Sequence, residues 1–104
     1  MAKIVKIQVT ATDNELYLLA STPNGSSELC HIKSGFNNPV NYVFVPQSIL
    51  PAGNYTLTVL GINWGGPSAF KVILTDSTGA NTPVSGGAGL ATGGTWSQAI
   101  PITV

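Results

Sequence analysis

Across 104 residues the chain carries four lysines, no arginine and four carboxylates, so its formal net charge is zero and charged residues make up only 8% of it. An average soluble domain has roughly 25%, and here hydrophobic residues reach 43%. Without a basic patch or arginine forks there is nothing to steer or grip a polyanion, which excludes nucleic-acid binding.

The length suits one domain, residues 1–104, with a single core. Cys30 is the only cysteine, so neither an intrachain disulfide nor a thiolate metal cage can form, and the residue reads as a small buried apolar side chain. No apolar run is long enough for a membrane-spanning helix. The first residues, MAKIVKIQVTATDNE, alternate apolar with polar and lack the continuous apolar stretch of a signal peptide, so they read as part of the fold. The compartment stays open: cell-surface, extracellular and virion settings are all compatible with this composition.

Val5, Ile7, Val9 and Ala11 alternate with Lys6, Gln8, Thr10 and Thr12, the period of a half-buried strand. Asp13-Asn14 reads as a turn, and Glu15 to Ala20 as a second strand. Thr22-Pro23-Asn24-Gly25-Ser26 supplies a fixed φ and then a position for positive φ, so the chain should reverse into a strand over Glu28 to Lys33. A polar loop, Ser34 to Pro39, leads to the branched and aromatic segment Val40 to Val45, which Pro46 ends. Asn54 to Ile62 puts Tyr55, Leu57 and Val59 on one face, and Phe70, Val72 and Leu74 repeat the pattern. Gly79 to Gly94 reads as a long glycine-rich loop with a short strand over Ala88 to Thr92, and Trp96 to Val104 as a closing strand.

No helical period persists over three turns, and twelve glycines and seven prolines punctuate the chain too often for long helices. The expected class is all-β: a two-sheet antiparallel β-sandwich, immunoglobulin-like or jelly-roll, of seven to eight strands, with a closed barrel second. The expected core includes Val5, Ile7, Val9, Leu57, Val59, Phe70, Val72 and Leu74.

The run Leu50-Pro51-Ala52-Gly53-Asn54-Tyr55-Thr56-Leu57-Thr58-Val59, with Gly61-Ile62-Asn63 and Pro67 to Val72, resembles the last hairpin of fibronectin type III and related immunoglobulin-like domains. The resemblance covers about 25 residues and implies a tyrosine corner, with the Tyr55 hydroxyl bonded to backbone a few residues upstream. It is a shared structural solution rather than family membership, since about 30 residues follow where that family would normally stop.

Titratable groups are sparse: His31, Cys30, Asp13, Asp76, Glu15, Glu28 and the lysines. Cys30 and His31 are adjacent in a strand, so their side chains point to opposite faces and form no nucleophile–base pair. One histidine and one cysteine make no zinc set, and the clusters at Asp13 and Asp76 read as Asx turns rather than calcium loops. The expectation is therefore no enzyme, no metal and no cofactor.

Two readings of function follow. In the first, the charge-poor surface is buried against copies of the same chain, giving a structural homo-oligomer, filament or shell, a surface fibre or virion component, with contacts through Gly79 to Gly94 and the strand ending at Val104. In the second, the chain is a small carbohydrate-binding lectin. Trp64 would stack on a sugar face, with Asn63, Asn38, Asn37 and Tyr42 as its other glycan-binding residues.

Overall fold

The computed structural model describes residues 2–35 and 38–104. It is all-β and antiparallel, with seven strands: β1 (Ile4–Thr22), β2 (Gly25–Ser34), β3 (Tyr42–Phe44), β4 (Asn54–Ile62), β5 (Ala69–Asp76), β6 (Asn81–Gly86) and β7 (Thr95–Thr103). One turn of 3₁₀ helix, Pro46–Ser48, follows β3.

The two strands expected on either side of Asp13-Asn14 are one continuous strand of 19 residues. Its first half pairs with β3 on one side and with β5 on the other, and β5 continues to β6. Its second half pairs with β2 and with β4, and β4 continues to β7. All seven strands thereby join one hydrogen-bonded sheet, in the order β6-β5-β1-β4-β7 with β2 and β3 added on β1. Separate sheets were the sequence expectation, and the sheet observed is continuous and curled into a half-barrel. A single parallel bridge, Lys3 to Thr103, ties the start of β1 to the end of β7.

Curling lets both arms bury one face in a single apolar cluster. Ile7, Val9, Phe70, Val72, Leu74 and Val84 contribute from one arm, and Leu16, Leu18, Leu57, Val59 and Ile102 from the other. Seven of the eight expected core residues are buried there, Val5 being the exception. Its register explains why: Ile4 faces Asp76 while Lys6 faces Thr75, so Val5 is the extra residue of a β-bulge. A second bulge, between Val9 and Ala11, shifts the alternation again. Val9 is buried before it, and Thr12 rather than Ala11 after it. One inserted residue moves every later side chain to the opposite face.

Gly79 to Gly94 is not one loop. Asn81–Gly86 pairs with β5 and buries Val84, while the expected strand over Ala88 to Thr92 is a turn region. The segment Val40 to Val45 contracts to the three residues of β3. Tyr55 forms the expected corner: its hydroxyl donates to the Pro51 carbonyl at 2.7 Å, with the ring half-buried against the core. Asp76 closes an Asx turn as expected, its Oδ1 accepting from the Thr78 and Ala80 amides at 2.9 and 3.1 Å.

Candidate functional site

Register places Glu15 opposite Lys33 on β2 and opposite Ile62 on β4, and Tyr17 opposite His31. The chain leaving β4 then turns at Asn63 and lays Trp64 beside Glu15. Two anchors fix that turn. Asn14 Oδ1 accepts from the Trp64 and Gly65 amides at 2.6 and 3.1 Å. The Trp64 indole Nε1 donates to Glu15 Oε1 at 2.9 Å.

The other carboxylate oxygen, Glu15 Oε2, accepts from His31 Nε2 at 2.5 Å and from the Tyr17 hydroxyl at 3.3 Å, with Lys33 Nζ at 3.7 Å. The Tyr17 and His31 rings stack with centroids 4.0 Å apart. Glu15 is buried by these neighbours. The indole and imidazole hydrogen bonds hold its carboxyl below the usual carboxylate range, against the opposing effect of burial, and Lys33 adds to the lowering. Trp64 itself stays 59% exposed. The result is a rigid, outward-facing aromatic ring whose polar edge is already engaged.

The residues proposed for glycan binding are dispersed. Asn63 is 1% exposed; its Nδ2 donates to the Gly66 and Leu90 carbonyls at 3.1 and 2.7 Å, and its Oδ1 accepts from Gly65 N at 3.1 Å. It is a pin between the β4–β5 loop and the segment before β7, with no free polar edge for a ligand. Asn38 is exposed and borders a cavity along residues 10–13 of β1. Tyr42 lies on β3 opposite Val9. Asn37 lies outside the described residues. Among the described candidates, Trp64 and Tyr42 present exposed aromatic rings, at 59% and 45%.

Sequence reasoning passed over Glu15, Tyr17 and Lys33 as site residues and took His31 for a surface or hydrogen-bonded strand residue. The signal was the hairpin register: once Thr22–Gly25 is the turn, residues whose numbers sum to 47 face each other near it, until a bulge between Leu18 and Leu19 displaces them by one. That bulge is what brings Lys33 opposite Glu15.

A second feature lies along β3. Tyr42, Val43, Val45 and Ile49 are each 45–48% exposed. No charged residue occurs from 34 to 70, or from 77 to 104. With Asp13 and Glu15 buried, the low charge of the sequence is lower still at the surface. No helix is long and apolar enough to cross a membrane.

No protein family profile, curated protein or solved structure matches this chain.

Proposed function

We propose that the chain is a non-catalytic structural module that assembles with copies of itself through the apolar surface along β3. The observation that supports this most is the exposure of Tyr42, Val43, Val45 and Ile49 within a stretch that carries no charge from residue 34 to residue 70. Edge strands of free-standing domains are commonly protected by charges, especially lysine, or by proline. Strand β2 has Glu28 and Lys33, β6 has Pro83 and β7 has Pro101. Strand β3 has neither within its three residues. Tyr42 and Val43 are successive residues of β3 and point to opposite faces, so the exposed apolar groups flank both sides of an edge strand, where they offer an interaction surface.

In this reading the two arms of the sheet serve as the layers of a sandwich, and β3 is the side presented to a neighbour. The contact differs from the one expected through the strand ending at Val104. Ile102 and Val104 are buried in the chain's own core, and the Val104 backbone exchanges two hydrogen bonds with Gly53, at 2.8 and 2.9 Å. That strand end is already used.

The test is a pair of charge insertions, Val43→Lys and Ile49→Lys, both at exposed positions that leave the core intact. Light scattering coupled to size exclusion should show the oligomer of the unchanged chain reduced to monomer in each. Variants that assemble as the unchanged chain does would remove this surface from the account.

A further inference from the structure

At the end of the sheet where β1 turns into β2 lies a cleft of about 370 Å³. Ala20 faces Leu57 on β4 and Ser27 on β2, so Ala20, Thr22, Ser27 and Tyr55 share the core side of the sheet by the strand period of two. Ala20, Ile49, Leu50 and the Tyr55 ring give the cleft apolar walls, and the Tyr55 hydroxyl already donates to Pro51. None of the described residues that line it is charged. A volume of this size takes a small ring.

The opposite end of the same arm carries a ring that fits it. Trp64 is 59% exposed, yet its indole N–H donates to buried Glu15 and its amide donates to Asn14. A fixed ring whose one polar group is already paired enters an apolar cleft without ordering a loose side chain and without orphaning an N–H. Thr22 lies seven positions beyond Glu15 on β1, roughly 23 Å at about 3.3 Å per residue, so the ring cannot reach the cleft of its own chain. We propose that Trp64 of one copy docks in the cleft lined by Tyr55 and Ile49 of the next, joining copies head to tail. Tryptophan is among the residues most enriched at the energetic centres of interfaces, and Tyr55 supplies an aromatic wall for it to stack on. The two patches differ, so the contact is heterologous: each copy gives a ring and receives one. This inference rests on assembly through β3 and adds a second contact to it. One aromatic ring buries only about 150–250 Å², well short of the roughly 1,200 Å² of a stable interface, so the contact holds only between units that β3 has already paired, where several rings act together.

Sedimentation velocity of the full chain at several hundred micromolar tests it. The unchanged chain should give species larger than the unit held by β3. Trp64→Ala and Ser27→Lys should each stop at that unit, whereas Val43→Lys should give the monomer. Ser27 is exposed, so its substitution charges the cleft and leaves the core intact. The decisive sample is an equimolar mixture of Trp64→Ala with Ser27→Lys: the first keeps the cleft and the second keeps the ring, so species larger than either forms alone should return. That recovery also shows that neither variant failed to fold. Growth of either variant beyond the β3 unit, or a mixture no larger than its components, overturns the head-to-tail contact and leaves assembly through β3 standing. An unchanged chain that stops at the size of the two variants overturns this contact alone, and a monomeric unchanged chain overturns both.

Discussion

The indole of Trp64 donates to the carboxylate of Glu15 at 2.9 Å, across 49 positions of sequence. This bond turns an exposed ring into a fixed one, and it ties the β4–β5 loop to β1 next to the point where β1 passes from one arm of the sheet to the other.

Protonation of Glu15 should weaken that bond. Because the folded carboxyl lies below its ordinary value of 4.5, its contribution to stability is fully present above that value and is lost as pH falls through the folded pKa. The Trp64 Nε1–H resonance, followed by NMR on acidification, should move with a midpoint below 4.5. A midpoint at or above it would contradict the hydrogen-bonded arrangement, and Glu15→Gln should abolish the transition.

Cys30 offers a chemical test of the core. Burial pushes its thiol up to about 11, so little thiolate exists at neutral pH. Native protein should react with a thiol reagent far more slowly than protein in denaturant. Equal rates would place Cys30 outside the core.

Gly61 faces Leu16 on β1, and a Cβ there would fall 2.7 Å from the Phe70 ring. Gly61→Ala should therefore destabilise the fold by about 1–3 kcal/mol through overpacking. Urea unfolding measures it, and an unchanged midpoint would mean that the ring moves aside freely.

Removing the Tyr55 hydroxyl leaves the Pro51 carbonyl without that donor. Tyr55→Phe should cost on the order of 1 kcal/mol, or less because the carbonyl has access to water. A more stable variant would deny the corner any structural role.

Alternation made most of the core legible, because seven of the eight expected residues follow the period of two wherever the strands run without interruption. It failed where bulges insert a residue: nothing in the apolar–polar pattern near Val5 or Thr10 announces the shift, and only the pairing with β5 reveals it. Asp13-Asn14 has the composition of a turn, yet pairing of Asp13 with Ala69 on β5 and of Asn14 with Ser34 on β2 holds it in an extended strand. Strand β6 was hidden by composition. Asn81, Thr82 and Pro83 look like a loop, and Val84 alone reaches the core. Deleting part of Gly79 to Gly94 would consequently damage the fold itself. Of the site, Trp64 and its exposure were legible, whereas Glu15 was not, because its environment is assembled by three strands and a loop.

The central claim is assembly through the β3 surface, and sedimentation velocity of the unchanged chain tests it most directly. Across a range from low micromolar to several hundred micromolar, the account predicts a sedimentation coefficient that rises with concentration, or one already above that of a 10.7 kDa monomer. The same run on Val43→Lys should give the monomer throughout. A single monomeric boundary for the unchanged chain over the whole range would contradict the account.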